Sequence, residues 1–523
     1  MQNPDASKLG WPLWLFVTAT LVSNIGTWLF TVGSSWLMTE LDGSALMVSL
    51  VQTATMVPLF LFALPAGALG DVFDRRRSLL ITQAFLIVST AVFAWIVMTD
   101  RATVFLLLLF TFFNGLGAAF ARPMMAAIIP QLVSKDLLRT AVNLGGISFN
   151  LSRAIGPALG GYLITRYTLS LPYWVDAVSF LTVLVYIWYW NDDRENLEAG
   201  RQPPLTLAMA DAVRFYRHSP ALRHSTLRAL SFFFAASALW ALLPLIARDR
   251  LSGAADLYGY LVGAAGAGAV LGGLLLSKTS WNVEANRLIW LAGAVMAAGL
   301  AVLGFSYSVP LSFAAVLACG ASWQAGYTTL MTSTQYALPR WFGARGMAFY
   351  LMATSACLAV GSAAWGWIAD LTTLSISHYA AAGTLLLLLL LGRRLQLDQA
   401  RESDLSAAHP LFTVEYASGE QEAHVRLLRT TYTFPPDLRE PLEKRLDDLE
   451  GSRYRSGALR RQISRYPDAP RIEEDVWLIL DAPYTPARLQ TTRHDADLQD
   501  SFEHWLAENG AEWRREVLVI EHA

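Results

Sequence analysis

Cysteine is nearly missing from this chain: Cys319 and Cys357 are the only two among 523 residues. Both fall inside long apolar runs, so neither a disulfide framework nor a cysteine-built zinc site can form. Histidine is scarce as well, with eight residues, none in the middle of an apolar run and none at metal-ligand spacing. No GxxxxGK(S/T) stretch occurs, which excludes ATP as a direct energy source. In the polar C-terminal part, His494, Asp495, Glu503 and His504 lie near one another but accompany no nucleophile pattern, and they read as surface charge. No catalytic residue, cofactor, metal or nucleic-acid partner is therefore expected. Charge itself is thin, at 16% of residues, where soluble domains carry about a quarter.

Apolar sequence takes the place of what is missing. Hydrophobic residues make up 54% of the chain, and 18 tryptophans are present. About 20 apolar residues suffice to cross a bilayer as a helix. Twelve runs of roughly that length occur, near 12–38, 44–69, 78–99, 103–125, 141–165, 171–190, 224–247, 257–277, 286–306, 309–333, 345–369 and 375–392. The first is too long for a cleavable signal and reads as a span. Lysine and arginine in the connections fall seventeen on one side and four on the other if the spans alternate. By the positive-inside rule both termini are then cytoplasmic.

The apolar part is internally repeated. Gly67 aligns with Gly272, Asn114-Gly115 with Cys319-Gly320, and GPALGGYLI (156–164) with GSAAWGWIA (361–369), all at an offset of 205 residues. A constant offset predicts two six-helix halves, 1–190 and 224–392, as duplicated membrane proteins show. The connector 191–223 contains Pro203-Pro204 and an amphipathic stretch with Arg214 and Arg217, suited to a cytoplasmic membrane surface. From 393 to 523 the composition turns acidic, with 18 basic and 25 acidic residues against 22 and 17 before it. Strand-like segments at Phe412–Tyr416, Val476–Leu480 and Val517–Glu521 and helical ones at 437–450 and Leu498–Glu508 predict a soluble, cytoplasmic α+β domain of ferredoxin-like type.

Two motifs and a few costly residues stand out. GALGDVFDRRRSLL (Gly67–Leu80) places Asp71 and Arg75, Arg76 and Arg77 between two apolar runs, as a gating network or as simple orientation charges. Ser152–Gly161 carries Gly156, Pro157, Gly160 and Gly161 inside a span, where they allow bending and close helix approach, or plain packing. Charges within spans are expensive, about 2.5–3.5 kcal/mol near the centre. Arg122 and Arg228 sit near boundaries where a side chain can snorkel, whereas Arg153 and Asp176 lie deeper. Asp176 is readable as a proton-coupling carboxylate or as a fixed tie to Arg153 or a polar neighbour. Asn24, Gln52, Asn150 and Gln324, with Trp28, Trp240 and Trp323, are candidates for a partly aromatic substrate cavity; each tryptophan alone also fits interface or packing duty.

These stretches carry a resemblance. The Gly67–Arg76 spacing resembles the loop 2–3 signature of the major facilitator superfamily, with Asp74 where glycine is usual. The Gly156–Gly161 run is similar to the span-five signature of its exporters. Thr111 stands where the drug antiporters carry an arginine. LVSNIGTWLF, GDVFDRRRSLL, IPQLVSKDLLRTAVNLGGISFNLSRAIGPALGGYL and DAVRFYRHSPALR together look like the bacterial exporter branch that includes enterobactin exporters and transmembrane secretion effectors. The resemblance, over roughly residues 10–390, implies twelve membrane helices in two pseudo-symmetric halves and alternating access in the plasma membrane. It also implies proton-driven export of an amphipathic small molecule such as a siderophore, antibiotic or drug. Self-association through the tail, a sensor or enzyme role for the tail, and import by the same fold are the alternatives left open.

Overall fold

A computed structural model describes residues 10–72, 74–134, 136–190, 213–278, 284–339, 343–397, 407–408, 424–456, 458, 460–466, 469–480 and 491–519. It divides into two units, one of Met1–Glu195, Thr226–Thr332 and Ala348–Gln396, the other of Asn196–Ser225, Ser333–Met347 and Leu397–Ala523. The first is built from long helices. Its N-terminal half holds α1 (Trp11–Leu41), α2 (Ala45–Val72), α3 (Arg75–Met98), α4 (Val104–Ala126), α5 (Leu138–Arg166) and α6 (Leu171–Tyr189). Its C-terminal half is built on α7 (Pro220–Leu245), α8 (Ala255–Lys278), α9 (Ala285–Phe305), α10 (Val309–Tyr336), α11 (Gly343–Leu371) and α12 (Leu374–Leu391).

Among the described residues, eleven helices are long and apolar enough to cross a membrane. The exception among the long helices is α5, where Asn150, Arg153, serines and glycines dilute the hydropathy. Helix starts follow ordinary capping chemistry. Thr103 and Thr373 accept from backbone N–H groups at the starts of α4 and α12, and Asp74 accepts from the Arg77 N–H at the start of α3.

The repeat seen in the sequence is also a repeat of packing. Gly115 on α4 backs onto the Thr55 carbonyl of α2, and Gly320 on α10 backs onto the Ala265 carbonyl of α8. Gly156 on α5 faces the Ile25 carbonyl and Trp28 of α1, while Gly361 on α11 faces the Phe234 carbonyl of α7. An added Cβ would collide with the facing carbonyl at Gly115, Gly320 and Gly361 and with Trp28 at Gly156, so glycine lets helix axes approach.

The second unit contains a four-stranded antiparallel sheet. Strands β1 (His424–Thr433), β2 (Arg460–Tyr466), β3 (Arg471–Leu480) and β4 (Glu512–Val519) lie in the order β2-β3-β1-β4. Helices α13 (Arg439–Asp448) and α14 (Glu450–Arg455) join β1 to β2, and α15 (Arg493–Glu508) joins β3 to β4. Tyr432, Phe434, Leu442, Leu446, Ile472, Phe502 and Leu506 form the core between sheet and helices. The expected strand Val476–Leu480 falls in β3 and the expected helices fall in α13 and α15, while Phe412–Tyr416 lies outside the described residues. Strands β1 and β2 were not expected. The connector's described end is held within this unit: His218 stacks on Tyr454 at 4.1 Å, and the Arg455 guanidinium donates to the His218 carbonyl at 2.7 Å.

Candidate functional site

A boxed guanidinium lies midway along α5. The Arg153 side chain sits over the ring of Trp240 from α7 at 5.0 Å and the ring of Trp28 from α1 at 6.0 Å. One indole belongs to each half. Trp240 meets Trp323 of α10 edge-on at 5.5 Å, and Trp323 is 5.2 Å from Phe233. Tyr327, one turn beyond Trp323, interacts electrostatically with both Arg153 and Arg122. Arg122 is solvent-exposed although protein surrounds it. Arg153 itself is only 6% exposed, and its Nε finds no hydrogen-bond partner among the described residues.

The remaining polar candidates are dispersed. Gln324 donates to Thr328 on its own helix at 3.0 Å, and Asn150 donates to the Gly146 carbonyl, while Asn24 and Gln52 are half-buried on α1 and α2. Asp176 is fully buried on α6, beside Gly26 of α1, with Ser179 Oγ at 3.5 Å from its Oδ1. Its Oδ2 has no partner, and no ion pair joins it to Arg153 among the described residues. An apolar cavity of about 370 Å³ lies elsewhere, among Trp11, Leu15, Val185 and Tyr189 at the ends of α1 and α6. Those residues are exposed on the outside of the bundle.

The two halves are joined along α5 and α8 and along α11 and α2. Gly161 of α5 meets the Ala255 carbonyl and Gly259 of α8, and Gly366 of α11 meets the Ala45 carbonyl and Ser49 of α2. Just beyond each glycine stands a helix cap supplied by the opposite half. Thr165 Oγ1 accepts from the Asp256 N–H at 3.1 Å, and the Asp370 carboxylate accepts from the Ala45 and Leu46 N–H groups at 2.6 and 2.9 Å. Thr165 and Asp370 are themselves 205 residues apart. Arg248 reinforces this end by donating to the carbonyls of Thr39 and Gly43. The span-five motif therefore has two duties: Gly156 and Gly160 seat α5 on α1, whereas Gly161 seats it on the other half.

The arginine cluster acts within one half. Arg75 donates to the Ala127 carbonyl at the end of α4 at 3.3 Å. Arg76 donates to the carbonyls of Ile187 and Trp188 at the end of α6, while Arg77 points to solvent beside Asp74. Cations on these orphan carbonyls complement the helix dipole, worth about 0.3–1 kcal/mol each. Arg228 does not snorkel: it is buried and donates twice to the Gly392 carbonyl after α12. Gly67 and Asp71 lie in the last turns of α2, and their side chains fall outside the described residues.

Residues 11–517 match the family described as transmembrane secretion effector. The chain belongs to that family of major facilitator transporters. Among the chain's curated relatives, the staphyloferrin A transporter of Staphylococcus aureus is 22% identical over 55% of the chain and 72% of its own length. The multidrug efflux pump Tap of Mycobacterium tuberculosis is 30% identical over 32% of the chain and 42% of its own length. Macrolide efflux protein A of Streptococcus pyogenes is 21% identical over 54% and 69%. The chain also shares its fold with the nucleoside transporter NupG, with a TM-score of 0.62 at 11% identity over 73% of this chain and 99% of that one. It is thus a multi-pass bacterial membrane protein whose relatives carry small molecules. Tyr327, Phe233, Thr165, Asp370 and Arg248 were missed in the sequence; the 205-residue offset would have paired Thr165 with Asp370.

Proposed function

We propose that this protein is a secondary exporter that moves amphipathic small molecules out of the cell, driven by the proton gradient and working by alternating access. The observation that carries the reading is the pair of cross-half caps, Thr165 on α8 and Asp370 on α2, beside close-packed Gly161 and Gly366. Contacts of this kind hold one end of two symmetric halves together while Arg153 and its tryptophans wait deeper between them. Given the lysine and arginine bias, with both termini cytoplasmic, that end is the external one. Export is supported by relatives named for siderophore transport, multidrug efflux and macrolide efflux. Asp176, buried with one unpartnered oxygen, is the residue best suited to take up and release the driving proton. Asp71 and Arg75–Arg77 would bias the cytoplasmic end. The tail, whose βαββαβ order fits a ferredoxin-like domain, would act through its grip on the connector rather than by catalysis.

The test is whole-cell efflux in a pump-deficient host, using catechol siderophores and amphipathic antibiotics with and without a protonophore. Efflux that collapses with the protonophore is expected. Asp176→Asn should abolish that component while the protein remains in the membrane; undiminished, protonophore-sensitive efflux in the variant would remove Asp176 from the mechanism. A second expectation concerns the closed end. Asp370→Asn loses the charge on the α2 N-terminus, costing about 0.5–1 kcal/mol at an exposed cap. The balance should move toward the opened end by about twofold to fivefold, since 1 kcal/mol is about a factor of five. Spin-label distances between the outer ends of α2 and α11 read this directly, and an unchanged distribution would show the cap to be incidental.

A further inference from the structure

Arg153 is a charge without a counter-charge. A guanidinium offers five N–H donors, yet among the described residues Arg153 makes neither a hydrogen bond nor an ion pair, and its Nε is sealed from solvent. Leaving a buried charge unpaired is costly, and in membrane proteins such residues mark substrate and ion pathways. The guanidinium lies over the faces of the two indoles, where cation–π attraction operates. They supply no hydrogen-bond acceptor to its N–H groups. Those donors fit a carboxylate, which accepts two parallel N–H bonds from arginine. Among the described residues no acid pairs with it: Asp176, the buried carboxylate of α6, faces Gly26 and Ser179 instead. The ionisable group that interacts with Arg153 is Tyr327, which also interacts with a second arginine, Arg122. Trp323 and Phe233 extend the aromatic wall from Trp240.

We propose that Arg153 anchors an anionic group of the transported molecule, a carboxylate in the simplest case, while Trp240, Trp323 and Phe233 receive an adjoining aromatic or apolar body. This rests on the transporter reading above and narrows it: the preferred cargo is an amphipathic acid, and organic cations are disfavoured. Because Trp28 and Trp240 come from opposite halves, an anion bound at Arg153 touches the seam across which the halves move.

The test is isothermal titration of the full chain in nanodiscs with three probes of similar shape: 1-naphthoate, 1-naphthamide and 1-naphthylmethylammonium. Charge-assisted, bidentate pairing should make naphthoate bind about tenfold more tightly than the neutral amide, with the ammonium weakest. Arg153→Gln should erase the difference between acid and amide, and Arg153→Lys should keep the order with weaker naphthoate binding. Trp240→Leu keeps the charge and should weaken acid and amide alike, leaving their ratio unchanged; it also serves if Arg153→Gln does not fold. Equal affinities for the three probes, an acid preference that survives Arg153→Gln, or no binding of any probe would overturn the proposal. Efflux in whole cells separates this from failure of the exporter reading. Export of cations with no acid preference leaves the exporter standing and removes the anchor. Acid-selective binding without any efflux does the reverse.

Discussion

Gly161→Val is expected to stop efflux while leaving the protein folded in the membrane. An added Cβ at Gly161 would strike the Ala255 carbonyl and come within 3.0 Å of the Cα atoms of Asp256 and Gly259. These are backbone atoms of α8, which cannot swing aside as a flexible side chain would. The two helices must separate, and overpacking of this kind costs about 1–3 kcal/mol. Both helices remain whole when they part, so the cost falls on the state in which the halves meet, not on the fold. A bias of that size shifts a two-state balance by about 5- to 150-fold. Gly366→Val should act in the same direction, because an added Cβ at Gly366 would come within 2.7 Å of the Ala45 carbonyl across the symmetry-related seam. Gly383→Val is the control, since an added Cβ there meets nothing within 4 Å. Efflux rate, membrane abundance and spin-label distances across α5 and α8 together decide the matter. Normal efflux by Gly161→Val would show that this seam need not close in the cycle, and loss of the protein itself would show that the close packing serves the fold.

The helices were legible because bilayer thickness imposes a length that any apolar run either meets or misses. The duplication was legible at its glycines, for Gly115 and Gly320, and Gly156 and Gly361, keep the same letter while doing the same job. Thr165 and Asp370 escaped notice because they differ as letters, although both accept a hydrogen bond from a helix N-terminus in the opposite half. Arg153 declared itself through its depth in a span. Its partners did not, since aromatic faces carry no sequence mark of the cation they cover, and Trp240 lies 87 positions away. The arginine cluster was read as charge in a loop; its work as caps on α4 and α6 depends on carbonyls 52 and 111 residues distant. In the tail, β3 and α15 showed their periodicity. RRQISRY of β2 did not, because its arginines are held by ion pairs, Arg461 to Glu474 and Arg465 to Glu443, that a hydrophobic pattern cannot report.

Those ion pairs set the second large effect. Glu474 on β3 is 1% exposed and accepts from Arg453, from Arg461 at 2.6 Å and from the Tyr432 hydroxyl at 2.9 Å. Burial alone would raise its pKa, but the two guanidiniums outweigh burial and hold it at about 2, below the ordinary 4.5. A carboxyl depressed in the folded state adds stability above its ordinary pKa, and that stability drains away as pH falls toward the folded value. The tail should therefore loosen between about pH 4.5 and about pH 2. Glu474→Gln removes the counter-charge and strands Arg453 and Arg461 in the interior, a change worth about 3–5 kcal/mol. Since whole domains are stable by only about 5–15 kcal/mol, amide exchange in β1 and β3 should accelerate about 150- to 5,000-fold in the intact chain. Helices α1–α12 should keep their protection. The exposed pair of Glu443 and Arg465 provides the contrast, because Glu443→Gln removes at most about 1 kcal/mol. Glu474→Gln should also lose the part of the acid-induced loosening at 424–480 that Glu474 contributes, since its own carboxylate is gone; the pairs of Asp475 and Glu473 with Arg429 remain. If wild type and variant instead exchange alike at neutral pH and loosen alike in acid, the sheet is held by its apolar core of Tyr432, Leu446, Ile472 and Phe502, and the buried charges are tolerated rather than required.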